Sequence, residues 1–478
     1  MRNTIFGLHG KHLSSHGKLK LEGGDNVKAP FSENYAEMYI KHFFNKSVLA
    51  VNLDFSHDGF NYYGYPKDPV PDILWEEDLK INYFGQRQTF TRGGLNINLE
   101  NASARKNDFT FDFDFAYDYF KSKTGQTEHY GSFLADIKKP YDKGAGLLTA
   151  GISVINTENI FNRYLMGMGM SRQIWLTAQP SFMLGGEVAN LQAGVKTWFV
   201  IDHSTDVLAK LAPVVRVNFV PVKEIINIFA GIDGNYAPNN YSKIAYENPY
   251  IDPEQHVHKN TFERFRFYGG FDGKLSSKTN FKIAVDYSII KEKPFYHLFK
   301  YLQADSLPSS YIVDNDFDFI YDNLNLLKFN LEIFHATFEK MNLLLSGNYY
   351  VYTMESLEEA WNLPDWDAKL SLGYRISDQF NISTDLIFIG QRKAIIYSLP
   401  GENPRPLSTG DMLKLENLQT EVYNLDPIVD LNFSATYQVT GKLSVFARLN
   451  NFAFQKYQHW IGYPVQNFNA LGGLSYAF

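Results

Sequence analysis

The chain ends on FNALGGLSYAF, residues 468–478, a stretch in which large and small side chains alternate. Counting back from the last residue by twos gives Phe478, Tyr476, Leu474, Gly472, Ala470 and Phe468, and the positions between them are mostly small or polar. Side chains along a β-strand point alternately to the two faces of a sheet. The stretch therefore predicts a terminal strand with one apolar face, and this strand closes on an aromatic residue.

The same alternation is strongest in FTFDFDFAYDY, residues 109–119. Its aromatic side chains share one face, and the other face carries Thr110, Asp112, Asp114, Ala116 and Asp118. Two-faced segments recur at residues 49–56, 226–233, 281–288, 369–375 and 431–439. A soluble sheet would have to cover so many aromatics with a second layer. The wall of a membrane barrel instead turns them toward lipid and turns polar residues toward an aqueous lumen.

Length and composition agree with a barrel. The chain has 478 residues, of which 16% are aromatic and only 45% hydrophobic. No stretch approaches the roughly 18 apolar residues of a spanning helix. Only helices and closed barrels satisfy the backbone hydrogen bonds inside lipid. The sequence therefore predicts an all-β fold: a single antiparallel up-and-down transmembrane β-barrel of about 20–22 strands over residues 1–478, in the outer membrane of a Gram-negative bacterium. Tyr476 and Phe478 are then its barrel-insertion signal.

The spacing of turn residues gives each strand a direction. If Phe478 is periplasmic, short periplasmic turns should alternate with longer outer loops. Short polar turns are expected near residues 440–441, 377–378, 339–340, 276–280, 222–224, 185–186, 142–143, 102–107 and 45–46. Longer segments lie between them at residues 57–85, 237–260, 292–320 and 397–422, while two outer connections near residues 123–126 and 204–206 are short. This series predicts about 20 strands, the first of them over Thr4 to Leu21.

Several classes of protein are disfavoured. A net charge of −7 argues against a nucleic-acid partner. The absence of cysteine excludes disulfides and thiolate metal sites. No nucleotide-binding, nucleophile-elbow or metalloprotease motif is present, so we expect neither an enzyme nor a cofactor. The first residues lack the apolar segment of a signal peptide, so we expect a mature or N-terminally truncated form.

The closing hairpin carries a family resemblance. The run NNFAFQKY at residues 450–457, the pair Tyr463-Pro464 and the terminal GLSYAF resemble the closing hairpin of TonB-dependent outer-membrane receptors. That family often has Gly-Arg soon after Tyr-Pro, where this chain has Asn467-Phe468. The resemblance implies solute uptake across the outer membrane. It also implies an N-terminal plug and an energy-transducing periplasmic protein as partner, although no plug-like segment precedes the first strand, so we expect the barrel portion only.

Charged residues on the inward faces are the first functional candidates. The proposed lumen-facing residues are Asp112, Asp114, Asp118, Arg264, Arg266, Lys282, Asp286, Lys369 and Arg375. A lumen with charges of both signs has the chemistry to orient polar solutes or to dock a plug. The alternative is that these side chains only hydrate the wall or form ion pairs along it.

Residues of the outer connections are the second set of candidates. Tyr62, Tyr63, Tyr65 and Trp75 are expected in an outer loop, where they would stack on a sugar or a partner, or else form part of an interfacial girdle. Tyr457, Trp460 and Tyr463 are interpreted as girdle residues. The segment with His256 and His258 has ligand chemistry but lacks the spacing of a known metal motif, and it is interpreted as a solvated loop.

Three functions remain open from the sequence. The first is a receptor-like importer that uses a plug. The second is a plugless, porin-like channel that is occluded by inward-folded loops such as 292–320 or 397–422. The third is a barrel scaffold that docks an envelope partner such as a surface lipoprotein. All three share outer-membrane lipid as a partner.

Overall fold

A computed structural model describes residues 3–20, 26–61, 87–101, 109–159, 170–202, 207–223, 225–251, 259–300, 316–337, 340–398 and 419–476. These ranges form strands β1 to β26 and a helix, α1 (Tyr241–Glu247). The strands before α1 are β1 (Thr4–Ser15), β2 (Lys18–Lys20), β3 (Asn26–Lys28), β4 (Phe31–Phe43), β5 (Ser47–Asn61), β6 (Arg87–Asn101), β7 (Thr110–Ser122), β8 (Gln126–Tyr141), β9 (Gly144–Asn159), β10 (Met170–Gly185), β11 (Ala189–Asp202), β12 (Leu208–Val222) and β13 (Ile226–Ala237). The strands after it are β14 (Thr261–Ser276), β15 (Thr279–Lys300), β16 (Asp316–Thr337), β17 (Met341–Met354), β18 (Trp366–Arg375), β19 (Phe380–Ile389), β20 (Arg392–Ser398), β21 (Gln419–Leu425), β22 (Ile428–Gln438), β23 (Leu443–Asn450), β24 (Gln458–Trp460), β25 (Tyr463–Pro464) and β26 (Asn469–Tyr476).

The main sheet is a large antiparallel β-barrel. Twenty-two of the described strands belong to one sheet. Strands β20 and β21 pair with each other, and β19 pairs directly with β22, so this hairpin stands on the barrel as an outer extension. The remaining twenty strands pair with their neighbours along the chain. The predicted up-and-down barrel and its strand number are therefore confirmed.

The register confirms the two-faced pattern. Asp112 on β7 lies between Glu100 on β6 and Asp136 on β8, so polar residues line one face. On the opposite face, Phe115 and Phe133 are register partners that are 41% and 44% exposed. Exposed aromatics belong on the lipid side of a barrel, and the polar face then lines the lumen.

The predicted short turns lie at one end of the barrel, and the short connection between β7 and β8 at residues 123–125 lies at the other end, as predicted; the turn expected near residues 102–107 falls outside the described residues. Between β22 and β23 the chain turns over residues 439–442, and between β18 and β19 over residues 376–379. At Gly185 the backbone has a φ of +108°, and an added Cβ would lie 2.2 Å from the Ala189 carbonyl oxygen, so the turn into β11 requires glycine. We call the opposite end, with the long connections, the outer end.

The first strand differs from its prediction. It ends at Ser15 instead of Leu21, and a separate small hairpin of β2 and β3 follows it in the outer connection to β4. Within the described ranges, no helix is long and apolar enough to cross a membrane.

Candidate functional site: the lumen and its outer closure

The largest buried apolar cluster of the described residues lies at the outer end of the barrel and is built from several connections. Phe90 and Phe120 come from the wall, Ile244 from α1, Phe317 from β16 and Ile396 from β20. We call this cluster the outer cap, which comprises Phe90, Phe120, Tyr241, Ile244, Ala245, Ile251, Tyr296, Leu298, Phe317, Phe319, Ala394, Ile396, Leu425, Ile461 and Tyr463. Its members are between 0% and 8% exposed, so they form a packed apolar core at the outer end of the barrel.

The extension of β15 and β16 forms one side of the cap. The pairing between β15 and β14 ends at Lys291, which leaves the outer part of β15 with a free edge. Strand β20 occupies this edge in parallel, with Leu298 opposite Ile396. The His297 ring meets Tyr397 edge-on at 4.8 Å between centroids, and complete burial lowers the pKa of His297 to about 3. The β20–β21 hairpin is thereby tied across to β15.

The connection from β13 crosses the mouth as a second part of the cap. We call its residues 238–251 the strap. Tyr241, Ile244 and Ala245 form its buried face, and the Tyr241 ring lies 6.0 Å from that of Phe120. At its far end the Tyr296 hydroxyl donates to Glu247 at 3.0 Å, and the Phe317 amide donates to the Tyr250 carbonyl at 3.1 Å. The strap therefore joins the β6–β8 wall to the extension of β15 and β16.

The connection between β23 and β26 forms the third part of the cap. Strands β24 and β25 meet in a tight turn at Gly462, whose φ of +81° favours glycine. The Arg392 guanidinium donates to the carbonyls of His459 at 2.8 Å and Gln458 at 2.5 Å, which fixes this connection to β20. Tyr463 stacks on Tyr250 of the strap.

The girdle interpretation of Tyr457, Trp460 and Tyr463 is wrong. Tyr463 is 3% exposed within the cap, and Trp460 packs edge-on against Tyr296 and Phe317. Tyr457 donates its hydroxyl to Asp430 on the lumenal face of β22 at 3.3 Å. The tight turn and Arg392 direct the connection inward, where Trp460 and Tyr463 pack in the cap and Tyr457 contacts the wall.

Below the cap the lumen is lined by hydrogen-bonded polar side chains. Asn98 donates to Asp112 at 2.6 Å, and Asn96 donates to Asp114 at 3.0 Å. Across the barrel, Arg266 donates to both oxygens of Asp233, at 2.9 and 2.8 Å. The lumenal surface thus carries fixed charges of both signs.

Eight of the nine proposed lumen-facing charges lie on the polar face of the sheet. Asp118 lies opposite Gly94 and Tyr130 in the register. Lys282 lies between Asp272 and Glu332, and Asp286 between Tyr268 and Lys328. Lys369 pairs with Asp385 at 3.5 Å, and Arg375 lies opposite Asn381.

Arg264 is the exception, because the register between β14 and β15 shifts between Glu263 and Phe265. The regular alternation is broken at this step, and the Arg264 guanidinium lies 5.2 Å from the Phe265 ring centroid. Arg264 and Arg266 therefore do not form a continuous basic stripe in the sheet.

Other candidates fall outside the described residues, namely Tyr62, Tyr63, Tyr65, Trp75, His256, His258 and Phe478. Tyr476 is described, lies opposite Leu443 and is 56% exposed on the apolar face. Across the ranges given above, no group of three His, Cys, Asp or Glu side chains is arranged to hold a metal ion.

Sequence patterns did not indicate three buried polar residues that organise the cap: Glu128, His297 and Arg392. Each is 5% exposed or less. Glu128 occupies an ordinary inward position of an alternating strand, so its pattern matches that of residues in contact with water. A usable signal existed for β20, because Ala394 to Tyr397 is an uninterrupted apolar run within a polar connection.

Comparison with known proteins identifies the fold. No family model matches the chain, and no curated protein matches its sequence. The pyoverdine receptor FpvA of Pseudomonas aeruginosa PAO1 aligns with a TM-score of 0.67 at 11% identity, over 100% of this chain and 74% of that one. The iron transporter FrpB of Neisseria meningitidis aligns with a TM-score of 0.68 at 10% identity, over 99% and 76%. The siderophore receptor PirA of Acinetobacter baumannii gives 0.66 at 11% identity, over 100% and 76%.

These alignments define the class of fold. The chain has the barrel fold of the TonB-dependent outer-membrane receptors, in agreement with the closing-hairpin motif. It is an outer-membrane β-barrel, and it spans about three quarters of the length of the receptors to which it is similar.

Proposed function

We propose that this barrel takes up a polar solute across the outer membrane through a lumen that is closed at rest. The observation that carries the proposal is the combination of a polar, charged lumen with an apolar cap across its outer mouth. A polar wall offers solutes a substitute for water, while an apolar layer without polar partners excludes them. Passage therefore requires displacement of the cap.

Closure of a barrel this wide has a physical reason. An empty lumen within some twenty strands would leak small solutes, so wide barrels are usually plugged. Each large apolar side chain of the cap contributes roughly 1.5–3 kcal/mol by leaving water. Thermal motion alone would rarely open such a cluster, so opening is expected to need binding energy from a solute or from a partner.

Metal complexes are the first solutes to test. The structurally similar proteins are described as a pyoverdine receptor, an iron transporter and a siderophore receptor. Lumenal charges of both signs, such as the Arg266–Asp233 pair, suit a charged complex that carries both donors and acceptors. If a plug accompanies this barrel, an energy-transducing periplasmic protein would supply the work of opening.

Accumulation in cells tests the proposal. Cells with and without the gene would be compared for uptake of iron-55 as ferric pyoverdine and as the ferric siderophores of the host. Loss of the gene should reduce accumulation of one of them severalfold, and the wild-type gene should restore it. Equal accumulation of every probe would contradict the metal-complex assignment.

A plugless channel closed by its own loops is the second candidate, and one observation favours it. Of the two connections that we expected to fold inward, the described part of 292–320 enters the cap through Leu298 and Phe317, and Ile396 enters it just before the second connection begins. A channel would conduct ions in planar bilayers once the cap is weakened. A barrel that never conducts, but is extracted with a stoichiometric lipoprotein, would be the docking scaffold instead.

A further inference from the structure

Glu128 makes the contacts that hold the first part of the strap against the barrel wall. It lies near the outer end of β8 on the lumenal face, and it is 2% exposed. One carboxylate oxygen accepts from the Tyr241 amide at 2.7 Å, and the other accepts from the Ser242 amide at 2.8 Å. The Asn240 side chain donates to it at 3.1 Å. Three donors of the strap thus converge on one buried carboxylate of another element.

The Glu128 carboxylate is stabilised by hydrogen bonds from amide and hydroxyl groups and not by a basic side chain. Within the described part of the chain, its remaining hydrogen bond comes from the Thr157 hydroxyl on β9 at 3.2 Å, and no basic side chain forms an ion pair with it. The side chain of Asn240, at the start of α1, caps none of the backbone amides of the helix. Glu128 therefore supplies the negative partner that the first amides of α1 require.

This arrangement is stable in two states of the strap. With the strap in place, the buried carboxylate is satisfied by its amide donors. If the strap leaves, water reaches the carboxylate and replaces those donors, so the departure does not strand a buried charge. The hydrogen bonds to Glu128 can thus be exchanged for hydrogen bonds to water. The apolar face of α1 has no such substitute and loses its packing when the strap leaves.

The other attachments of the strap show which way it would move. At its root, the Asn239 side chain donates to the Lys259 carbonyl at 3.0 Å and to the Thr261 hydroxyl at 2.9 Å, which ties it to the start of β14. At its far end it is held by Tyr296 and Phe317. On the β6–β8 wall, Glu128 supplies the hydrogen bonds to the strap, beside the packing of Tyr241 on Phe120 and of the Arg92 guanidinium over the Tyr246 ring.

We infer that Glu128 is a latch: its carboxylate holds the strap closed over the lumen, and release of this contact uncovers the β8 side of the mouth. Glu128 would regulate the entry of a solute, and to that extent the latch rests on the proposed uptake function. The contact itself exists whether or not a solute is transported, so the latch can be tested without one.

A single cysteine reports on the latch, because the chain contains no cysteine of its own. Ala245 is 1% exposed on the buried face of α1, and Ala245→Cys adds only a thiol. The labelling rate of this thiol by a membrane-impermeant maleimide would be measured on the folded barrel, whose integrity is checked by its heat-modifiable migration in detergent gels. Glu128→Gln should raise the rate at least about tenfold, because the new amide group opposes the backbone donors.

Two further variants make the result specific. Asp136→Asn changes a carboxylate on the same strand and face that accepts from Thr149 and not from the strap, and it should leave labelling within about twofold of the parent. Asn240→Ala removes one latch donor from the strap and should give a smaller increase than Glu128→Gln. If Glu128→Gln prevents barrel assembly, Asn240→Ala carries the test, since it leaves the wall intact.

The outcomes separate the latch from the uptake function. Labelling at the parent rate in both Glu128→Gln and Asn240→Ala would overturn the latch, as would an equal increase in Asp136→Asn. A failure of cells to accumulate any ferric siderophore would contradict the proposed function, while the labelling rates would still decide the latch.

Discussion

The rings of Tyr250 and Tyr463 stack face to face, with an interplanar angle of 16° and centroids 3.4 Å apart. Tyr250 belongs to the strap, which leaves β13, and Tyr463 belongs to the connection that precedes the last strand. Their contact therefore joins two outer connections that start on different parts of the barrel. Stacking of two aromatic rings stabilises their contact beyond the free energy gained by burial alone. This pair therefore helps to hold the two connections together in the cap.

Tyr463→Ala should loosen the cap without unfolding the barrel. Truncation of a buried aromatic costs roughly 3–5 kcal/mol, and here the loss falls on the packing between connections. A reporter cysteine at Ala394, which is 1% exposed in the cap, should then react faster with an impermeant maleimide. Tyr349→Ala removes a tyrosine that is 52% exposed on the apolar face of β17 and should leave the rate unchanged. Equal rates in the two variants would show that the pair does not hold the cap.

Acid should weaken the contact between β15 and β20. Burial lowers the pKa of His297 to about 3, so the ring is neutral in the closed cap, whereas it titrates near 6.5 when exposed. The open state therefore binds the extra proton. The closed cap therefore has its full stability above about pH 6.5. Between that pH and the pKa of the buried ring, its stability falls by up to roughly 1.4 kcal/mol per pH unit.

Hydrogen exchange measures this dependence. The peptide that contains residues 392–398 should lose protection as pH falls below about 6.5 in the wild type, relative to His297→Phe at the same pH. The variant keeps a ring against Tyr397 but cannot take up a proton, and the comparison removes the intrinsic pH dependence of exchange. Identical protection of the two proteins at every pH would rule out His297 as the cause.

Arg392→Leu should release the connection between β23 and β26. The carbonyls of Gln458 and His459 would lose their donor inside the cap, at a cost of about 1–3 kcal/mol for each unsatisfied group. The Lys456 side chain is already exposed, but trypsin also needs a locally unfolded backbone around it. Local opening of the connection should therefore accelerate cleavage after Lys456. Lys393→Leu is the matched control, because Lys393 pairs with the surface residue Glu359. Equal cleavage of both variants would contradict the structural role of Arg392.

The acidic stripe of β7 should set the ion selectivity of an opened barrel. In the Tyr463→Ala background, replacement of Asp112, Asp114 and Asp118 by asparagine should reduce the preference for cations, since fixed lumenal carboxylates attract them. The reversal potential across a potassium chloride gradient reports this preference. Asp142→Asn in the turn between β8 and β9 should not shift it. An unchanged reversal potential in the triple variant would place the ion path away from β7.

The barrel could be predicted from sequence because its determinants are local. The alternation in residues 109–119 fixes the two faces of β7, and turn residues such as Thr440-Gly441 mark where a strand reverses. The nearest neighbours of each strand then follow from chain order. The first strand ends earlier than its weak pattern predicted, and the step at Arg264 is irregular because a register shift leaves no mark in the period of the sequence.

The cap could not be predicted in the same way. Tyr250 and Tyr463 meet only after the whole barrel has closed, and no local period marks their contact. Tyr463 has the composition of an interfacial aromatic, and Glu128 has that of a hydrated wall residue. Their roles depend on which long connection folds over them, and that is a property of three-dimensional packing.

Ion conductance of the purified 478-residue chain in planar bilayers tests the central claim most directly, namely that a conducting polar lumen lies beneath a closed cap. The wild type should remain silent, while Tyr463→Ala and Glu128→Gln should each produce sustained openings. Steady conduction by the wild type, or silence of both variants when their barrels are folded, would contradict it.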